Sequence, residues 1–156
     1  MFEKKELVRQ ALDPPGKSLP RLPKGELFIY ESFIDGLVSK NLQFLEKISG
    51  VSSLLDLDLV SLPYERFDSF SRKDIERLLP FFLVLNVPGI FSVWVKNFGF
   101  FDALKAIFRD PGKLVVLLKA HTKEILDNLP LIKERGFDGI SIVDDIAGNS
   151  GLFFSK

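Results

Sequence analysis

The amino-acid sequence predicts an α/β protein built around a parallel sheet. Four short apolar runs recur along the chain, at residues 27–30, 57–62, 81–87 and 140–143. Stretches with the apolar spacing of helices separate these runs, and strands that alternate with helices form parallel sheets through right-handed crossovers. The run 81–87 is almost continuously apolar, as expected for a parallel strand covered on both faces. The carboxyl ends of such strands share one edge of the sheet, where ligands are expected.

The composition is typical of a globular protein and excludes several functional classes. Of the 156 residues, 46% are hydrophobic, and we expect one domain over residues 1–156. Lys plus Arg equals Asp plus Glu, at 21 each, so we expect no nucleic-acid partner. No apolar run has the length of a membrane span, and no signal core follows the charged start. We therefore expect no membrane partner and a cytoplasmic location.

The first half of the chain contains two strand–helix units after a short amphipathic helix at residues 3–11. After the first strand, helical spacing runs through residues 33–48 and ends at Gly50. After the second strand, Ser71 is predicted to cap a helix that extends through Leu79, with Asp74 near the capping-box position. Each unit therefore has the order expected of a parallel α/β fold.

The second half begins with the third strand and contains three predicted helices before the fourth strand. Two short helices at residues 90–98 and 101–109 are separated by Gly99. A long helix follows, with Asp110 as N-cap and Pro111 in its first turn, and it ends at Gly136. His121 lies on the apolar stripe of this helix, and we expect it to be packed and hydrogen-bonded rather than catalytic.

Two adjacent acids, Asp144 and Asp145, directly follow the last strand and are the predicted catalytic residues. Neighbouring carboxylates repel each other, so one of them can have the raised pKa that proton transfer requires. The alternative is that one carboxylate caps the loop by accepting backbone N–H groups while the other is solvated. Asn149 and Ser150 follow in a Gly-rich loop, where they either bind substrate or form an ordinary turn.

Three further residues are predicted to bind substrate. Glu31 follows the first strand, and its alternative role is to cap the next helix. Asn86 lies at the end of the third strand and needs hydrogen-bond partners if it is buried. Arg21 lies in the loop before the first strand, where it either attracts an anionic substrate or remains solvated. Trp94 and the Phe-rich region 98–108 are predicted to belong to the core, or to an aromatic pocket wall.

Three stretches carry a resemblance to a known family: residues 21–29 (RLPKGELFI), residues 88–91 (PGIF) and residues 136–155 (GFDGISIVDDIAGNSGLFFS). They resemble the N-terminal half of the uroporphyrinogen decarboxylase superfamily, which includes cobalamin-dependent methyltransferases. In related proteins the last stretch ends in Ser-Pro and starts the next helix, whereas Lys156 follows Ser155 here. The resemblance implies a half-barrel with about four strands of a (β/α)₈ fold and a site at their carboxyl ends.

The resemblance also implies a need for a second half. A complete barrel needs at least about 200 residues and typically has about 250, so a separate polypeptide with strands five to eight, or a second copy of this chain, is the expected partner. Uroporphyrinogen decarboxylases use no cofactor. The methyltransferase branch acts with a corrinoid protein and binds zinc through a His-x-Cys pair and a later Cys from its C-terminal half. This chain has no Cys and one His, so a partner would have to supply those ligands.

Two other hypotheses remain open at this point. In the first, the chain is a non-enzymatic α/β interaction module or an inactive gene fragment, and an acid of the pair only caps the loop. In the second, the chain is a family member that acts on a substrate other than a porphyrin.

Overall fold

The computed structural model describes residues 3–13, 18–26, 29, 31–144, 147–148 and 151–152. Four strands form a parallel sheet in the order β1-β2-β3-β4. The strands are β1 (Gly25–Glu26), β2 (Leu59–Pro63), β3 (Phe82–Pro88) and β4 (Gly139–Val143). The predicted α/β class with a parallel sheet is therefore confirmed. The expected first strand, at residues 27–30, falls mostly outside the described residues.

Seven α-helices lie among the described residues. They are α1 (Lys4–Leu12), α2 (Glu31–Leu37), α3 (Phe44–Leu54), α4 (Arg72–Ile75), α5 (Ile90–Phe98), α6 (Phe100–Arg109) and α7 (Pro111–Arg135). Short 3₁₀ segments occupy Tyr64–Ser69 and Glu76–Leu78, and a two-residue antiparallel pair joins β5 (Ala147–Gly148) to β6 (Gly151–Leu152). No helix in the described part of the chain has both the length and the apolar character needed to cross a bilayer.

The prediction of one helix through residues 33–48 is wrong, because two helices occupy this region. α2 ends at Leu37, and α3 begins at Phe44 after a polar connection. The Gln43 backbone N–H donates to the Glu46 carboxylate at 3.0 Å, which satisfies a donor that the helix itself leaves open. α3 then continues through Gly50 to Leu54, since burial of Val51 outweighs the low helix propensity of glycine.

The predicted cap at Ser71 is confirmed. Its hydroxyl accepts the Asp74 backbone N–H at 3.2 Å, and the Asp74 carboxylate accepts the Ser71 backbone N–H at 3.1 Å. The α-helix that follows is shorter than predicted, because it becomes a 3₁₀ segment after Ile75. The predicted boundary at Gly99 and the end of the long helix at Gly136 are also confirmed. Both glycines have positive φ, +78° and +103°, a conformation that other residues rarely adopt.

β3 is the most buried strand of the sheet. Residues 82–87 are all buried, as the apolar run predicted. β3 pairs with β2 from Phe82 opposite Leu59 to Asn86 opposite Pro63. Val8 of α1 packs against Phe82 and Val84, which share one face of the strand because side chains alternate. α1 therefore covers one face of the sheet near the amino ends of the strands.

The described chain forms two compact units, which are treated separately below. The first unit comprises residues 1–86 and 132–140, and the second comprises residues 87–131 and 141–156. In the second unit, Phe91 and Trp94 of α5 pack with Ala103 of α6 in a buried cluster. Partly buried residues of α5, α6 and α7 surround this cluster: Val95, Leu104, Ala106, Ile107, Leu114 and Leu117.

An aspartate directly before β4 fastens α1 to the sheet in the first unit. The Asp138 carboxylate accepts the Leu83 backbone N–H at 3.0 Å, and it forms ion pairs with Lys5 at 2.6 Å and Arg9 at 2.8 Å. The Asp138 backbone N–H also donates to the Leu83 carbonyl at 2.8 Å. One carboxylate thus fixes the position of a helix and the register of a strand at the amino end of the sheet.

Candidate functional site

A salt bridge joins the segments that follow β1 and β2 at the carboxyl edge of the first unit. Glu31 is the first residue of α2, and Arg66 lies in the 3₁₀ segment immediately after β2. Arg66 Nη2 donates to Glu31 Oε1 at 2.5 Å, and its guanidinium lies over the Phe44 ring, 4.1 Å from the centroid. The ring holds the guanidinium in place, so its planar set of donors is pre-organised.

Two clefts share the Arg66 and Phe44 side chains as a common wall. The smaller, of about 150 Å³, is also lined by Glu31, Ile34, Asp35 and Lys47. Its charges form two ion pairs, Glu31 with Arg66 and Asp35 with Lys47 at 2.6 Å. The larger cleft, of about 300 Å³, extends toward Ser69, Phe70 and Arg77. The predicted residue Glu31 therefore lies in a polar cleft, with balanced charges, at the expected edge of the sheet.

Asp144 is placed directly after β4 and binds the amino end of α5 within the second unit. Its carboxylate accepts the Phe91 backbone N–H at 3.0 Å, the Ser92 backbone N–H at 2.8 Å and the Ser92 hydroxyl at 2.9 Å. These are the second and third residues of α5, whose own N-cap, Gly89, has no side chain. Asp144 therefore caps α5 from outside the helix, whereas the alternative considered from the sequence was a cap of the loop that follows β4.

A very close approach between Gly89 and Asp144 makes this capping possible. The Gly89 backbone N–H donates to the Val143 carbonyl at 2.7 Å. A Cβ atom at position 89 would lie 2.3 Å from both Cβ and Cγ of Asp144. The turn at residues 88–89 therefore requires glycine because a side chain has no space there. The backbone conformation is not the reason, since any residue can adopt the φ of −72° found at Gly89.

Arg21 lies at the opposite, amino end of the strands in the first unit. Its guanidinium forms two hydrogen bonds with Asp58, the residue directly before β2, at 2.5 and 2.6 Å. The Lys24 backbone N–H adds a third, at 2.9 Å. The Asp58 side chain is fully buried, and the hydrogen bonds from Arg21 hold the pKa of Asp58 below its usual range. The guanidinium of Arg21 is thus already engaged by a carboxylate of its own chain.

The remaining sequence candidates differ in how far the structure describes them. Asn86 is buried near the end of β3, on the same face as Phe82 and Val84. His121 Nε2 lies 2.7 Å from the Pro88 carbonyl, so the expected hydrogen-bonded histidine is confirmed. Asp145, Asn149 and Ser150 lie outside the described residues. The substrate-binding and catalytic roles therefore stay predictions.

Comparison with known proteins was made at the levels of family, sequence and structure. No family model, curated protein or solved structure matches the chain. Among the described residues, no three His, Asp or Glu side chains come together as a metal site. The zinc that the methyltransferase branch uses does not fit this chain, which has no Cys and one His to serve as ligands.

Sequence reasoning missed Arg66, Asp58 and Asp138. A usable signal existed for Arg66, because it follows the predicted second strand by a few residues and so lies near the carboxyl edge. Asp58 and Asp138 each directly precede the first residue of a strand. This position in the sequence does not indicate whether the carboxylate is solvated or forms an ion pair. Their partners are distant in sequence and become apparent only in the folded chain.

Proposed function

We propose that this chain is one half of a (β/α)₈ barrel of the uroporphyrinogen decarboxylase type, which requires a complementary half for activity. The strand order β1-β2-β3-β4 carries the proposal. Parallel strands that neighbour one another in sequence order are the arrangement found in barrels, whereas doubly wound sheets reverse direction at a switch point. β1 and β4 each have one neighbour within the described sheet, so each presents an edge to a further strand.

The polar cleft at Glu31 and Arg66 supports a substrate site at the carboxyl edge. An arginine that is pre-organised over an aromatic ring binds a planar carboxylate with two parallel hydrogen bonds. A substrate carboxylate would replace Glu31 as the partner of Arg66 when the site is complete. The reaction class is then decarboxylation of a carboxylate-bearing substrate, or methyl transfer with a corrinoid protein if the partner half supplies the zinc ligands.

The first experiment tests whether the sheet edges pair with another half. The side chain of Ile142, on β4, is exposed. A lysine at this position puts a charge on the outer strand of the described sheet, where a further strand would pair. We expect the wild-type chain to associate in light scattering and Ile142→Lys to be monomeric. Leu54→Lys, at a similarly exposed position on α3, is the matched control and should associate like the wild type.

A second experiment addresses a separate partner. A polypeptide with strands five to eight, encoded by a neighbouring reading frame, should raise the unfolding midpoint and confer decarboxylase or methyltransferase activity. Arg66→Gln should then remove activity without preventing assembly. A wild-type chain that is monomeric at every concentration, and whose stability no such polypeptide raises, would falsify the half-barrel proposal.

The capping role of Asp144 favours a second candidate, a non-enzymatic interaction module. If Asp144 serves only α5, its replacement by asparagine should leave partner affinity unchanged. In the half-barrel, Asp144→Asn should instead reduce the activity of the assembled protein. Measuring affinity and activity on the same variant separates the two functions.

A further inference from the structure

The helix α6 presents two phenylalanines to solvent, contrary to the prediction that this region is core. Phe101 is 75% exposed and Phe108 is 78% exposed. They are seven residues apart and therefore lie on one face of the helix, with Lys105 between them. Large apolar side chains this exposed, arranged on one face, indicate a surface that contacts something apolar.

The opposite face of α6 is already occupied. Ala103 is completely buried, and Leu104 and Ile107 pack against the cluster that contains Phe91 and Trp94. Turning the helix to bury Phe101 and Phe108 would expose these residues instead. Phe101 and Phe108 therefore lie on the face of α6 that does not pack against this cluster.

The stretch of sequence that contains α6 is basic, although the whole chain has no net charge. From Ile90 to Lys119 the sequence has five cations and two carboxylates: Lys96, Lys105, Arg109, Lys113 and Lys119 against Asp102 and Asp110. Lys105 pairs with Asp102 at 3.4 Å. Within the part of the chain that the structure describes, Lys96, Arg109 and Lys119 have no ion-pair partner. Their charges are available to an anionic surface.

We propose that α6 binds the surface of an anionic lipid bilayer. The phenyl rings of Phe101 and Phe108 enter the boundary between headgroups and acyl chains, and the cations of this stretch, with Lys105 and Arg109 on α6 itself, contact lipid phosphates and carboxylates. Val116, near the start of α7, is also exposed, and an aliphatic side chain suits lipid better than the bases of a nucleic acid. Absence of a spanning segment led to the expectation of no membrane partner, but a helix that lies on the surface needs no such segment.

The test is co-sedimentation of the full chain with vesicles. We expect binding to vesicles of phosphatidylcholine with phosphatidylserine, weak binding to phosphatidylcholine alone, and loss of binding as salt increases. The double variant Phe101→Ser and Phe108→Ser should lower the partition coefficient by about tenfold or more. Phe33→Ser, at an exposed position of α2 in the first unit, is the matched control and should bind normally.

A second variant protects the test against misfolding. Replacing Lys96, Arg109 and Lys119 with glutamine leaves the apolar surface intact and should abolish the preference for phosphatidylserine. Emission from Trp94, the single tryptophan, reports whether the α5–α6 core remains folded. Equal binding to both vesicle types, or no binding to either, overturns the proposal. So does a wild-type chain that binds single-stranded RNA or self-associates through Phe101 and Phe108 without binding lipid.

Discussion

Gly89 and Asp144 approach each other so closely that no side chain fits between them, since a Cβ at position 89 would lie 2.3 Å from Asp144 Cβ. The approach brings a carboxylate from the end of β4 to the first turn of α5. Phe91 and Ser92 donate their backbone N–H groups to it. The carboxyl end of β4 is therefore hydrogen-bonded to the first turn of α5, and glycine at position 89 leaves the space that this contact needs.

Replacing Gly89 with alanine should destabilise the second unit. The methyl group displaces backbone or the Asp144 carboxylate, and the expected loss is about 1–3 kcal/mol in the free energy of unfolding. Urea unfolding followed by Trp94 fluorescence measures it. Gly36→Ala is the control, because no atom lies within 4 Å of a Cβ there, and it should be neutral or stabilising.

Removing the carboxylate of Asp144 should cost about 1 kcal/mol, the usual value for a lost helix cap. Asp144→Ala leaves the Phe91 and Ser92 N–H groups without this acceptor, whereas Asp144→Asn retains an oxygen and should cost less. Hydrogen exchange at the first turn of α5 reports the effect locally. Equal exchange in Asp144→Ala and the wild type would contradict the capping role.

Asp58→Asn should destabilise the first unit, because it leaves a buried amide in place of a carboxylate that accepts three hydrogen bonds. Hydrogen bonds to charged groups contribute more than neutral ones, and a loss of about 2 kcal/mol is expected. Chemical denaturation monitored by circular dichroism measures the change. The control, Asp127→Asn, breaks an exposed pair with Lys123 and should change stability by no more than about 0.5 kcal/mol.

The same carboxylate predicts a specific acid sensitivity. The pKa of Asp58 is lowered in the folded chain, so its contribution is fully present above the unfolded value near pH 4 and is lost as the pH falls through the folded value. The wild type should therefore lose more stability between neutral pH and about pH 3 than Asp58→Asn does. The variant should keep part of the slope, because the pKa values of Asp56 and Asp74 are also lowered. Parallel pH profiles for the two proteins would contradict the assignment.

Two serines should respond to alanine in opposite directions. Ser52 is fully buried in α3, and its hydroxyl has no hydrogen-bond partner among the described residues. Ser52→Ala should stabilise the chain by about 1 kcal/mol, because an unsatisfied buried hydroxyl is removed. Ser71→Ala should destabilise it by about 1 kcal/mol through loss of the N-cap. Thermal unfolding of both variants measures the signs, and a loss of stability in Ser52→Ala would indicate an unseen hydrogen bond.

The sequence allowed β2, β3, β4 and most helix boundaries to be predicted because these depend on local signals. Burial on both faces makes β3 a continuous apolar run, and Gly99, Pro111 and Ser71 have backbone or capping preferences that act within a few residues. The break between α2 and α3 was missed because apolar spacing continued across it. Local polarity and capping at Gln43 outweighed that spacing.

The candidate site was less predictable because its contacts are long-range. The sequence placed Glu31 near the carboxyl edge, but its pairing with Arg66 spans 35 residues. The sequence likewise offered capping as an alternative for Asp144 without indicating that α5 was its target. Phe101 and Phe108 were predicted as core because the stretch is rich in large aromatic residues, and composition does not show which of these side chains face away from the core.

The strand order β1-β2-β3-β4 also has a consequence for synthesis on the ribosome. Each strand pairs with the one made immediately before it, so the sheet can grow at a single edge as the chain emerges. Within the described sheet, each strand pairs with its predecessor and no strand is inserted between earlier neighbours, so each pairing closes only the connection between two consecutive strands. Assembly can therefore follow translation from the amino terminus onward, one strand at a time.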